Sequence, residues 1–297
     1  DRPIKKPLLT LGGDLKASFA VSKGRSIILS QYLGDLESYA VQESYKAALK
    51  RTMELYGFRP EAIACDKHPG YISGRLAKEL SEKHHIPVVG IYHHHAHVAS
   101  VMAEHGLTHT IGVAMDGTGY GKDGRIWGGE FLLCEGGKME RISHLKYVDM
   151  IGGDSSMKDA ARSALSYIHA YENGYPQGAK ASDDGSRQIP LDIADIVGFG
   201  QDRLNAKSEA KIVSRALAGG INSIQSSSMG RLFDSVSSLL GICDYNSYEG
   251  QCAIMLEDAA AFAQNAAGDY TAGTNALSTV TEEIAKYVPY VVKLCYA

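Results

Sequence analysis

The chain has 297 residues, 44% hydrophobic and 22% charged. That is enough for one large or two modest domains, with a core that needs no disulfide staples. Its 30 basic and 34 acidic side chains leave a net charge of −4, which speaks against nucleic acid as a partner, because such binders carry a basic surplus or stripe. No apolar run reaches the roughly 18–20 residues of a membrane span, and residues 1–7 lack a signal pattern. Five scattered cysteines without a Cys-x-x-Cys encode neither a disulfide framework nor a thiolate zinc site. The expectation is a cytoplasmic protein with no membrane contact. Glycine is the outlier: 32 residues make about 11%, against a usual share of about 7%. Such an excess marks tight turns or close backbone approaches.

In chain order, short apolar runs at 7–11, 17–21 and 26–30 are separated by Gly12-Gly13-Asp14 and Lys23-Gly24, which predicts a three-stranded meander with glycine turns. Residues 38–56 carry apolar side chains at helical spacing. A strand at 62–66, a helix at 73–84, a strand at 88–92 and a helix at 94–104 follow. This alternation predicts an α/β protein with a parallel sheet. Residues 111–135 read as a second copy of the opening device: strand 111–115, glycine turn 116–121, strand 125–135. From about 152 to 267 the pattern is mostly helical, with segments at 157–171, 192–201, 205–218, 229–240 and 251–267 and a polar loop at 173–190. No motif is placed in the last thirty residues.

Four of the eleven histidines fall in His93-His94-His95-Ala96-His97, directly after an apolar strand. If a helix starts near His93, then His93 and His97 are at i and i+4 on one face, the spacing for two imidazoles on one metal ion. The competing reading is a solvated polar helix start; the location at a strand's carboxyl edge favours the metal. In Asp116-Gly117-Thr118-Gly119-Tyr120-Gly121, glycines would let backbone N–H groups approach a phosphate, and Asp116 could hold a metal ion. An ordinary Asp-Gly turn is the plain alternative. Asp234 could accept ribose hydroxyls and Gly250 could line a nucleotide, but periodicity alone favours an Arg231–Asp234 ion pair and a helix-starting glycine. Gly152-Gly153-Asp154 is either an anion site or an N-cap. The sequence has no Walker loop, no nucleophile elbow and no G-x-G-x-x-G that follows a strand and opens a helix.

Taken together, HHHAH (93–97), MDGTGYGKDGRIWGGEF (115–131), IGGDSS (151–156), SSMGRLFDSVSSLLG (227–241) and YEGQ (248–251), in this order, resemble the C-terminal transferase module of the HypF carbamoyltransferases. These are maturation factors of nickel–iron hydrogenases, related to the tRNA threonylcarbamoyltransferases. The resemblance runs from about residue 8 to 262. It implies a duplicated actin-like fold (the sugar-kinase and Hsp70-like class) of two lobes with a cleft, the first lobe at 1–110 and the second at 111–297, with a helical insertion at about 152–267. It also implies ATP or AMP, in the form of carbamoyl-adenylate, and a divalent zinc or iron ion. The partners it implies are HypE, whose C-terminal cysteine would accept the carbamoyl group, and the upstream HypF modules. By the same resemblance His93, His97 and Asp116 are the metal ligands and catalytic residues. Met115, Gly117, Thr118 and Gly119 correspond to the phosphate loop and Asp14 to its counterpart in the first hairpin; Asp234 corresponds to the ribose-contacting aspartate and Gly250 to the glycine lining the nucleotide. The family's final strands, and the aspartate that completes its metal site, find no match after Ala267, so these elements are expected to be missing. The alternatives are a non-catalytic nucleotide- and metal-binding docking module and, less well supported, a tRNA-modifying sister enzyme, which would want a basic surface.

Overall fold

The computed structural model describes residues 6–153, 157–172 and 206–267. Of these, a first compact unit takes the residues within 1–112, 119–124 and 132–140, and a second those within 113–118, 125–131 and 141–297.

The first unit begins with β1 (Leu8–Thr10), β2 (Ala20–Lys23) and β3 (Ser26–Leu29), followed by α1 (Tyr39–Leu55), β4 (Ala62–Asp66), α2 (Ile72–His84), β5 (Val88–Ile91) and α3 (His93–Glu104). The sheet order is β3-β2-β1-β4-β5. β1, β2 and β3 pair antiparallel, β2 and β3 through a two-residue turn, whereas β1, β4 and β5 pair parallel, because the helices α1 and α2 supply the crossovers. The predicted meander and the alternation that follows it are therefore both present. Leu9, Leu11, Phe19, Tyr45 and Ile63 form the centre of the core. Tyr45 ties α1 to the sheet: its hydroxyl donates to the Leu11 carbonyl at 2.8 Å, and its ring meets Phe19 edge-on at 5.5 Å. The parallel strands β1, β4 and β5 end at one edge of the sheet, where sites form in open α/β folds.

The chain continues through β6 (His109–Tyr120), β7 (Ile126–Glu135), β8 (Lys138–His144), β9 (Val148–Ile151), α4 (Ala160–Glu172), α5 (Ala206–Ala218), β10 (Ser223–Ser226), α6 (Met229–Leu239) and α7 (Gln251–Ala267). The second sheet runs β6-β7-β10-β9, with β8 paired to β7. β10 is parallel to β7 and antiparallel to β9. In the second unit Val148, Met150, Tyr167, Met229 and Leu232 pack as one core cluster, and Ile151, Leu165, Ala210, Val213 and Leu217 as another.

Two expectations are corrected here. The glycine turn at 116–121 is strand: β6 continues to Tyr120, and the reversal falls at Gly121–Gly124, where Gly124 has φ +75° and its N–H donates to the Gly121 carbonyl. The region from 152 to 267 is mostly helical among the described residues, as expected, with α4, α5, α6 and α7, but it also holds a strand, β10, that its pattern did not show. β10 reads Ser-Ile-Gln-Ser and shows no β-signal of its own; pairing on both sides makes it a strand. Helix 229–240 is found as α6 and helix 251–267 as α7, whereas α4 starts later than expected, at Ala160. The polar loop at 173–190, the helix at 192–201, Asp154 and the last thirty residues lie outside the described residues. Among the described residues no helix is long and apolar enough to cross a membrane.

Burial pushes the thiols of Cys65, Cys134 and Cys252 above the usual cysteine range. The thiolate is the reactive form, so in native protein at about pH 8 iodoacetamide should reach Cys243, which is partly exposed, before these three. Their reactivity should grow as pH rises. Peptide mass spectrometry of a time course measures the order, and equal rates for all four would contradict it.

Candidate metal and nucleotide site

The ends of β1, β4 and β5 in the first unit enclose a cavity of about 350 Å³, walled by Gly12, Gly13, Asp66, Ile91, His93 and His97 among others. That volume lies at the lower end of the range for small-molecule pockets. α3 begins at His93, so His93 and His97 share a face as their spacing predicts. Their Nε2 atoms are 3.0 Å apart, a separation compatible with both bonding one ion at about 2.0–2.1 Å each. The other ring nitrogen of His93, Nδ1, lies 3.2 Å from Asp66 Oδ2. Asp66 closes β4, its side chain is 6% exposed, and its Oδ1 accepts the backbone N–H of His68 at 2.8 Å. Sequence reading missed Asp66. The available signal was an acidic residue ending a strand that neighbours the one feeding the histidines: Asp66 pairs in register with Ile91, two residues before His93.

The other histidines of the cluster are not equivalent. His94 is fully buried and packs beneath β6. His95 is edge-on to Tyr92, and burial, reinforced by Lys67 and Lys122, lowers its pKa. The contact under β6 explains Gly119: a Cβ there would lie 2.4 Å from His94 Cε1 and 3.2 Å from His93 Cβ. Gly119→Ala should therefore push the start of α3 outward. We expect a stability loss of about 1–3 kcal/mol, the usual range for overpacking, together with weaker zinc binding; unchanged zinc affinity in a folded variant would disprove this route to the site.

Asp14 has a structural task. Its carboxylate, from the turn after β1, accepts the N–H groups of Ile72 (2.6 Å) and Ser73 (2.9 Å) and so caps α2, an anionic group at a helix N-terminus. This holds the Gly12-Gly13 turn over the cavity. Gly12, at φ +64°, is where the backbone requires glycine.

In the second unit, Asp116 accepts the N–H of Gly117 at 2.6 Å. Ser228 caps α6 by accepting the Arg231 N–H, and its hydroxyl points at the Asp116 and Gly117 carbonyls, 3.1 and 2.7 Å away. Two further glycines make this packing possible. A Cβ on Gly230 would lie 2.7 Å from Gly117 Cα, and one on Gly128 only 2.5 Å from the Asp116 carbonyl. Part of the glycine surplus thus serves backbone-on-backbone contact between β6, β7 and α6. Glu130, an acid in the interior of apolar β7 that sequence reading passed over, is fully buried; it accepts from the Gly128 and Gly129 N–H groups, Ser227 and Arg141.

Asp234 lies on α6 and is 1% exposed. Arg231 Nη2 stands 2.7 Å from its Oδ2, and Asn246 donates to its Oδ1 at 3.1 Å, so the ion pair read from the i,i+3 spacing is formed. Burial raises the carboxyl's pKa, against the opposing pull of Arg231 and Asn246. Gly250 precedes α7 at φ +78°, and nothing crowds its missing Cβ. Met115 is exposed, and Thr118 is half-buried near the end of β6.

Strand order 3-2-1-4-5, with the histidine-bearing helix α3 at the parallel strand ends, is the architecture of an α/β protein of the actin-like class. Residues 3–104 match the family model of the HypF Kae1-like domain, and residues 112–293 match that of the carbamoyltransferase Kae1-like domain, second subdomain. The chain belongs to the HypF Kae1-like carbamoyltransferase family. It is similar to carbamoyltransferase HypF2 of Cupriavidus necator, 37% identical over 251 residues that cover 84% of this chain and 28% of that protein. It is likewise similar to carbamoyltransferase HypF of Synechocystis sp., at 35% identity covering 86% and 32%. The chain thus spans less than a third of the length of these two relatives. Among solved structures, full-length HypF in a phosphate- and nucleotide-bound form shares the fold, with a TM-score of 0.73 at 35% identity over 86% of this chain and 37% of that one. HypF of T. kodakarensis does so with 0.71 at 29% identity over 88% and 33%.

Proposed function

We propose that this chain performs carbamoyl transfer in hydrogenase maturation, taking the carbamoyl group from carbamoyl-adenylate and passing it to the C-terminal cysteine of HypE. The observation that carries the reading is the His93–His97 pair, Nε2 to Nε2 at 3.0 Å, on the wall of a cavity at the parallel strand ends, in a chain of the HypF family. The proposed ligands are His93, His97 and Asp116, and a zinc or iron ion suits this donor set of two imidazoles and a carboxylate. When bound, the ion supplies Lewis acidity to the carbamoyl carbonyl or to the phosphate oxygens.

The chain's own residues do the rest. The Gly12-Gly13 turn, held by Asp14, and the 115–119 segment of β6 present backbone N–H groups to nucleotide phosphate. In this reading Gly250 lines the nucleotide, and Asp234 is the ribose contact. In the transfer the acceptor sulfur bonds to the carbamoyl carbon, the carbon–oxygen bond to the phosphate breaks, AMP leaves and the thiol proton passes to solvent. The acceptor thiol arrives on the partner, so the chain needs no nucleophile of its own. The upstream HypF modules would make the carbamoyl-adenylate. The protein is proposed to act in the cytoplasm, without nucleic acid.

The test supplies carbamoyl-adenylate and a peptide of the HypE tail to the zinc- or iron-loaded chain and follows the peptide's mass. A gain of one carbamoyl group on the cysteine is expected. AMP binding without any transfer would instead establish the docking-module reading.

A further inference from the structure

Asp66 spends both oxygens in a way that only a carboxylate can. We infer that it is a positioning residue for the metal: it fixes His93 in the tautomer whose Nε2 carries a free electron pair. The inference rests on the reading of His93 and His97 as ligands given above. Oδ1 accepts the backbone N–H of His68 at 2.8 Å, which anchors the carboxylate to the turn after β4. Oδ2 faces His93 Nδ1 at 3.2 Å. A carboxylate only accepts hydrogen bonds, so Nδ1 carries the imidazole proton and Nε2 is left as the donor atom, aimed at His97. Metal-bound histidines commonly give their second ring N–H to a carboxylate in this way, which fixes the ring and raises its basicity. The strand register makes the arrangement rigid. Asp66 stands opposite Ile91 in the parallel pairing of β4 and β5, the Lys67 N–H donates to the Ile91 carbonyl at 3.0 Å, and α3 starts two residues on, so carboxylate and imidazole come from neighbouring strand ends.

Asparagine at this position separates the two tasks. With its oxygen toward the His68 N–H, its amide N–H₂ would face His93 Nδ1, which must then accept, moving the ring proton to Nε2 and closing the ligand position. With the amide reversed, two donors would meet at His68. Asp66→Asn keeps the size of the side chain, but one orientation closes the Nε2 ligand position and the other loses the His68 anchor.

The experiment uses the 297-residue chain, wild type, Asp66→Asn and His97→Ala, freed of metal. Affinity for cobalt(II) and zinc(II) is measured by chelator competition, and the His93 ring proton is located by long-range proton–nitrogen NMR at about pH 8, where imidazole is neutral. The proton is expected on Nδ1 in the wild type and on Nε2 in Asp66→Asn. Affinity in Asp66→Asn should fall about 10–100-fold, with the metal-free melting temperature close to the wild type. A wild-type ring protonated at Nε2 overturns the inference without any variant, as does wild-type affinity in Asp66→Asn. Full affinity in His97→Ala, or no binding by the wild type, overturns the parent reading of the ligands instead, and the location of the ring proton still decides the role of Asp66.

Discussion

Replacing His97 or His93 with alanine is expected to weaken zinc(II) or cobalt(II) binding by at least about 100-fold, beyond the cost of losing an outer hydrogen-bonding partner. Carbamoyl transfer should fall by roughly 10³-fold, since Lewis-acid stabilisation is worth several kcal/mol and each 1.36 kcal/mol is about tenfold in rate. The reason is geometric. The two Nε2 atoms lie 3.0 Å apart on successive turns of α3, so removing either leaves one imidazole. The two variants should not be identical. His93 also meets Asp66, so its loss frees a nearly buried carboxylate, whereas His97 belongs to the more exposed side of the pair. His93→Ala should therefore also lower the melting temperature of the metal-free protein, and His97→Ala should leave it nearly unchanged. Metal content after dialysis, transfer rate and melting temperature measure all three effects. Full metal retention in both variants would remove the site from this pair.

Glu130→Ala is expected to destabilise the second unit by about 3–5 kcal/mol, the cost of breaking a buried ion pair by deleting one partner. Glu130 is fully buried. Its Oε1 takes the N–H groups of Gly128 and Gly129 at 3.0 and 3.2 Å and the hydroxyl of Ser227, and its Oε2 takes Arg141 Nη1 at 3.1 Å. Arg141 also donates to the Tyr147 hydroxyl and lies 4.1 Å over the Trp127 ring. One carboxylate thus joins β7, the segment entering α6 and an aromatic platform. At about 2–4 °C per kcal/mol for a domain of this size, the melting temperature should drop by roughly 10 °C. Glu130→Gln keeps an acceptor for the glycine N–H groups and should cost less, about 1–3 kcal/mol. Urea melts followed by fluorescence of Trp127 give the comparison directly. A Glu130→Ala loss within about 1 kcal/mol, an ordinary substitution's effect, would show that the carboxylate is not the joint described.

The signals that the sequence carried most openly were local. Strand 62–66 and helix 251–267 are found within the residues expected, and the i,i+4 face of His93 and His97 follows from where a helix begins after an apolar strand. The 116–121 segment shows the opposite case. Asp-Gly-Thr-Gly reads as a turn because glycine has no side chain to pack, yet those same missing side chains let β6 run straight through. Gly119 lies over His94, and Gly117 lies against Gly230. Asp234 is a third kind of case, because its i,i+3 spacing with Arg231 pointed to the ion pair that the fold contains.

By itself the sequence determined what depends on neighbours along the chain: the α/β alternation of the first hundred residues, the histidine pair, and the ordered motifs that place the chain in its family. Only the tertiary structure decided which acids matter. Asp66, Asp14 and Glu130 each act on groups brought near by sheet register or helix packing: Asp66 on a ring 27 residues away, Asp14 on N–H groups 58 and 59 away, Glu130 on a hydroxyl 97 away. A carboxylate's role is set by the donors that surround it once it is buried, and no spacing in the sequence records those. The glycine surplus follows the same rule. At Gly12 and Gly124 glycine meets a positive φ that the local chain demands, but at Gly119, Gly128 and Gly230 it meets a backbone or ring from elsewhere in the fold.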